Sequence, residues 1–129
     1  MESLSFLIRR NNRQRKRRVI VVAFSLLLAP VVSNAVTHCT GRVEDALLYA
    51  DGTVNILGAW RGDFTVICNT HGTFGGISAE VCLSWYATAV KAVTDGAMLR
   101  IYYAENFTCA TLPTYGAAPV PIYVGLSRP

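Results

Sequence analysis

Four cysteines, Cys39, Cys68, Cys82 and Cys109, fall within one short stretch of this chain, and their redox state decides what it can fold into. Reduced, they are metal ligands or small hydrophobes. Oxidised, they staple a domain too small to build a large core. A four-cysteine zinc site needs close pairs such as Cys-x-x-Cys. The spacings here are 29, 14 and 27 residues, which disfavours that reading. An even count in an exported chain implies disulfides, and four cysteines leave three pairings open.

The residues ahead of Cys39 supply the compartment. Residues 1–18 carry Arg9, Arg10, Arg13, Arg15, Lys16, Arg17 and Arg18 against one acid, Glu2. An apolar run from Val19 to Val32 follows, broken by Ser25 and Pro30, and then Ser33-Asn34-Ala35. Basic, apolar and small-residue segments in that order make a cleavable secretory signal peptide. A membrane anchor needs about 20 apolar residues, and this run is shorter and holds a helix breaker. Residues 1–35 are therefore read as a signal peptide and residues 36–129 as one domain, secreted or periplasmic. Contact with a membrane is expected only transiently, through the signal peptide.

Cutting the leader reverses the charge. The whole chain is +4, but from Val36 onward five basic side chains face seven acidic ones, a net charge of −2. Little remains to neutralise phosphates, so a nucleic-acid partner is not expected.

Turn signals divide the domain. Gly41–Ala50 reads as a strand, and Asp51-Gly52 as a hairpin turn. Thr53–Leu57 alternates apolar and polar residues and reads as a second strand; Phe64–Cys68 is a third. Asn69–Gly76 is a glycine-rich loop. Ser78 is a plausible N-cap with Glu80 in the first turn, and the helix ends at Asp95-Gly96. Cys82, Tyr86, Ala89, Val90 and Val93 recur at helical spacing, as do Val81 and Trp85. Ala97–Tyr103 and Pro121–Leu126 complete five strands.

Three strands, a helix and two strands make a mainly β chain. The order matches the OB-fold, a five-stranded Greek-key barrel. In such a barrel the first and fourth strands pair antiparallel, so the start of strand one lies beside the end of strand four. Cys39 and Cys109 occupy those places, while Cys68 ends strand three and Cys82 lies early in the helix. The expected bridges are Cys39–Cys109 and Cys68–Cys82.

With these residues in place, the domain resembles the B subunits of bacterial AB5 toxins, in particular the subtilase cytotoxin and pertussis-like group. The residues that carry the likeness are Val66-Ile67-Cys68-Asn69, Cys82-Leu83, Ala89 and Ala92, and Asp95-Gly96. The strand Leu99-Arg100-Ile101-Tyr102-Tyr103 and the tail residues Leu112–Gly116 and Ile122-Tyr123-Val124 extend it. The resemblance implies an OB barrel, a homopentamer with helices lining its centre, sialoglycan binding on the outer faces, and a toxin A subunit as partner. In those relatives a tyrosine-serine stretch just before the first strand holds the sugar carboxylate. The matching stretch here is Thr37-His38-Cys39-Thr40, where the Thr40 hydroxyl is the one available substitute.

Catalytic chemistry is not expected. No HExxH, GxSxG or phosphate-loop pattern occurs, and oxidised cysteines cannot act as thiolates. His71 lies in a glycine-rich loop and His38 beside a bridged cysteine. No cofactor and no metal are implied. Binding is the better reading. In the strand Leu99–Tyr103, Ile101 and Tyr103 share one face, and Arg100 and Tyr102 the other. If Tyr103 is core, Arg100 and Tyr102 point outward together, a cation beside an aromatic ring. Trp60, next to Arg61 in a loop, is either a second ligand-binding aromatic or a plug at one barrel end. Trp85 and Tyr86 make the helix apolar on more than one face, which suggests a subunit contact. The candidate ligand residues are thus Thr40, Trp60, Arg100 and Tyr102. The alternative is a monomeric structural or inhibitory domain without glycan binding.

Overall fold

The computed structural model describes residues 36–128. The signal-peptide reading of residues 1–35 lies outside the described residues.

The expected order of elements is present: strands β1 (Thr37–Leu48), β2 (Thr53–Gly58) and β3 (Phe64–Asn69), helix α1 (Ala79–Asp95), then β4 (Met98–Tyr103) and β5 (Tyr123–Ser127). A 3-10 turn at Cys109–Thr111 lies between β4 and β5. The strands form one sheet in the order β3-β2-β1-β4-β5, with every ladder antiparallel.

The long strand β1 joins two halves of the sheet. Thr37–Arg42 pairs with β4, from Thr37 opposite Tyr103 to Arg42 opposite Met98. A register shift between Val43 and Asp45 bends the strand, and Ala46–Leu48 then pairs with β2. The expected first strand, Gly41–Ala50, thus starts four residues too late and ends two too late. Thr37–Thr40 is strand because Thr37 and Cys39 turn inward while His38 and Thr40 stay accessible, and β4 supplies a partner for the backbone.

No ladder joins β3 to β5 among the described residues, so the sheet is open. One parallel bridge ties β3 to the segment before β5. Tyr115 N–H donates to the Phe64 carbonyl at 2.7 Å, and Val66 N–H to the Tyr115 carbonyl at 3.3 Å. The fifth strand starts two residues later than expected and ends one later; Pro121 has no N–H for a ladder and lies ahead of it.

The local signals hold. Gly52 takes a positive φ of 84° in the turn between β1 and β2, which glycine adopts without strain. The Ser78 side chain accepts from Val81 N–H, and Gly96 closes the helix at φ 63° with its N–H on helix carbonyls. The Ser78 hydroxyl also holds the Glu80 carboxyl below its ordinary range.

The core combines Val54, Ile56, Ile67, Leu99, Ile101 and Tyr103 from the sheet with Cys82, Trp85, Ala89 and Ala92 from the helix. The helix therefore buries one stripe at three- and four-residue spacing. Tyr86 is only half-buried, and Val81, Val90 and Val93 are exposed, so the expected stripe is displaced by one residue along much of its length. Both disulfides form as expected, Cys39–Cys109 and Cys68–Cys82. The first ties β1 to the chain after β4; the second ties the end of β3 to the helix.

Candidate functional site

The antiparallel registers sort the outward side chains of β1, β4 and β5 into rows. His38, Tyr102 and Tyr123 stand opposite one another in the first row. Thr40, Arg100 and Gly125 form the next, and Arg42, Met98 and Ser127 the third. The alternation that points these residues outward buries Cys39, Leu99, Ile101 and Tyr103 on the opposite face. The expected division of the fourth strand, Tyr103 in and Arg100 with Tyr102 out, is present.

The first row packs on itself. The Tyr102 and Tyr123 rings stack at 5.1 Å, 13° from parallel, and the His38 ring meets Tyr102 edge-on at 4.5 Å. The Tyr123 hydroxyl comes within 3.4 Å of His38 Nδ1. Those two residues start from strands about 10 Å apart, so Tyr123 lies across Tyr102 to reach the histidine. Tyr102 is covered by one neighbour and edged by the other. Tyr123 is 39% exposed, His38 is exposed as well, and Tyr102 is half-buried.

Arg100 spans the adjoining row. Its Nε donates to Thr40 Oγ1 at 3.3 Å and its Nη2 to Ser127 Oγ at 3.2 Å. These two hydroxyls, on strands either side of β4, hold the guanidinium over the sheet. Its remaining N–H groups make no bond within the described residues. Lys91 with Asp95 is the one ion pair among those residues, so Arg100 has no carboxylate partner. No acid stands in the three rows, and Arg42 adds a second exposed cation. Beside Arg100, Gly125 leaves open space: a Cβ there would meet nothing within 4 Å. The surface combines a ring face, a fixed cation, two hydroxyls and a gap.

Trp60 belongs elsewhere. Its ring crosses Gly41 and Gly58, so a Cβ on Gly58 would stand 2.4 Å from it and one on Gly41 3.0 Å. Gly41 is an inward position of β1, on the side away from Thr40 and Arg100. Trp60 is partly buried and packs against the core, apart from Thr40, Arg100 and Tyr102. The neighbouring Arg61 Nε donates to the Leu112 carbonyl at 2.6 Å and fixes the loop after β2.

Of the four expected ligand residues, Thr40, Arg100 and Tyr102 come together and Trp60 does not. The reading of the sequence missed His38, Tyr123 and Ser127. Tyr123 could have been found by alternation, since Val124 is buried and its neighbour must point outward. His38 was obscured because its stretch was placed before the first strand. Tyr103 faces the core, where burial raises its phenol far above the ordinary value, and it takes no part in the surface.

Among the described residues, no cluster of three His, Cys, Asp or Glu side chains could hold a metal ion. None of their helices is long and apolar enough to cross a membrane. Comparison with protein-family models, curated proteins and solved structures returns no match.

Proposed function

We propose that this protein is an exported recognition module that binds glycans on the outward face of β1, β4 and β5. The observation that carries this reading is Arg100, a cation held by two hydroxyls and without a carboxylate partner, in the row next to the stacked Tyr102 and Tyr123 rings. A sugar ring presents C–H groups that pack on an aromatic face. Its hydroxyls or an acidic substituent can take the free guanidinium N–H groups. Thr40 and Ser127 hold the cation so that little side-chain entropy is lost on binding. Tyr102 stacks on the Tyr123 ring, and His38 meets its hydroxyl.

The same reading takes the five strands as an OB-like barrel of the AB5 toxin B-subunit kind, with the Tyr115 bridge as the contact drawing its two edges together. It takes residues 1–35 as the export signal, and the two disulfides fit an oxidising destination. A homopentamer and a toxin A subunit follow from the resemblance. The exposed stripe Leu83, Tyr86, Val90 and Val93 supports a subunit contact through the helix.

A glycan-array screen of the purified protein tests the ligand, with Arg100→Ala and Tyr123→Ala as controls. Binding lost in both variants, with folding intact, supports the reading. Retention in both, or no glycan bound by the parent protein, overturns it. Native mass measurement tests the assembly, and a monomer at micromolar concentration excludes the ring.

A second reading is favoured by the contacts within the face itself. Tyr102 and Tyr123 already stack, and Arg100 already bonds two hydroxyls. A monomeric structural or inhibitory domain needs no more than that.

A further inference from the structure

The two disulfides sit in different surroundings. Cys68 and Cys82 are both fully buried, between the end of β3 and the inner stripe of the helix. Cys39 is equally buried, but its partner Cys109 is partly exposed, in the 3-10 turn after β4. Thiol–disulfide exchange requires a thiolate to reach one sulfur of the bridge. Cys109 is the one cysteine of the four that solvent touches.

The accessible bridge also adjoins the candidate recognition face. Cys39 alternates with His38 and Thr40 on β1, and Cys109 Sγ lies 3.3 Å from the His38 carbonyl oxygen. Beside the bridge, hydrogen bonds and one ring contact hold the chain on the Cys109 side. The Thr37 hydroxyl is within hydrogen-bond distance of the Glu105 and Phe107 carbonyls, at 3.0 and 2.8 Å. The Phe107 ring meets Tyr103 at 5.6 Å. β3 and α1 also meet in the core through Ile67, Trp85, Ala89 and Ala92, while on the Cys109 side Leu112 reaches the core and Phe107 packs against it.

We propose that Cys39–Cys109 is a reducible switch, opened by an external dithiol while Cys68–Cys82 stays closed. A thiolate of the reductant attacks Cys109 Sγ, forms a mixed disulfide and expels the Cys39 thiolate. The second thiol of the reductant then displaces the Cys109 thiolate and closes the reductant's own disulfide. Two electrons pass to the protein bridge, and the two cysteine sulfurs end as thiols. Opening the bridge loosens residues 104–110, with Leu112 still anchored in the core, and loosens the start of β1, and with it His38. That this weakens ligand binding rests on the recognition reading above; the order of reduction and the loosening of His38 do not.

The test is a dithiothreitol titration of the purified protein at neutral pH, quenched with iodoacetamide and mapped by peptide mass. Cys39 and Cys109 should become alkylated at least about tenfold faster than Cys68 and Cys82, because only their bridge includes a partly exposed cysteine. Equal rates, or earlier alkylation of Cys68 and Cys82, overturn the proposal. Hydrogen exchange and the His38 ring NMR signals of the two-thiol form give the second readout. Faster exchange across 104–110 and a shifted His38 signal, with residues 79–95 still protected, are expected. An unchanged His38 signal, or loss of helix protection in the same step, overturns it. A Cys39→Ser, Cys109→Ser variant should reproduce the two-thiol signals without reductant. Neither readout uses a glycan, so failure of the switch is distinct from failure of the glycan reading.

Discussion

Two surfaces of this domain expose aromatic and apolar side chains, and they are built differently. On the outward face of β1, β4 and β5, each group is held by another: Tyr123 by Tyr102 and His38, Arg100 by Thr40 and Ser127. On the outer side of α1, Leu83, Tyr86, Val90 and Val93 follow one another at three- and four-residue spacing, with no charge within the stripe. Leu83 is 51% exposed, more than any of the other three. The first surface offers direction through a cation, hydroxyls and one ring face, which suits a small polar ligand. The second offers apolar area without direction, which suits another protein surface. Exposed apolar area alone therefore does not separate them; fixed polar groups do.

Trp60 sets the scale, because it supports the fold and belongs to neither surface. Trp60→Ala leaves the space over Gly41 and Gly58 unfilled and should cost about 3 kcal/mol in a denaturant melt. A loss below about 1 kcal/mol would contradict its place as a plug.

Arg100→Ala comes next and bears directly on the contrast. Losing a charged hydrogen-bonding group should weaken ligand binding about 10- to 100-fold and leave the particle mass unchanged. A changed mass with unchanged binding would reverse the roles given to the two surfaces.

Alkaline titration distinguishes the buried tyrosine from those on the surface. Burial raises the folded-state pKa of Tyr103, while the unfolded phenol ionises near 10. Above that pH the unfolded state gives up a proton that the folded state keeps. Stability should therefore fall as pH rises, by at most about 1.4 kcal/mol per pH unit. Tyr103→Phe should flatten that slope, and an unchanged slope refutes the assignment. It also removes a hydroxyl that has no hydrogen-bond partner in the core.

Tyr123→Ala removes the ring stacked on Tyr102 and should cost about 1 kcal/mol of stability. Ligand binding should fall with it, while Tyr123→Phe keeps the stack and tests the hydroxyl near His38. Equal binding by the alanine variant would show that the ring is packing and not platform.

Val90→Asp has the smallest effect expected on the fold itself, within about 0.5 kcal/mol, because the residue is exposed. Its effect should appear in assembly instead. A native particle that shrinks to monomer marks the helix stripe as a subunit contact, and an unchanged particle rules the stripe out.

What could be read from the chain alone follows the range of the forces involved. Asp51-Gly52, Ser78 and Gly96 act within a few residues, and each stands where its chemistry requires. The alternation along Leu99–Tyr103 is equally local, and it divides Arg100 and Tyr102 from the core. The disulfide pairing was legible one step further out, because the element order brings the start of β1 beside the end of β4. The start of β1 was not. Thr37–Thr40 lacks the apolar run that marks a strand and becomes one only because β4 is there to pair with it. Trp60 was equally open, since only the two glycines brought together beneath it decide that it turns inward.

The sequence by itself determined the element order, the caps and the turn, set by backbone preference or by the reach of neighbouring residues, and through that order the two bridges. The tertiary structure alone decided that His38, Tyr102 and Tyr123 form one row beside that of Arg100, and that one bridge includes a partly exposed cysteine. Those facts depend on strand register and on what covers each side chain, and both come from packing between segments far apart in the chain.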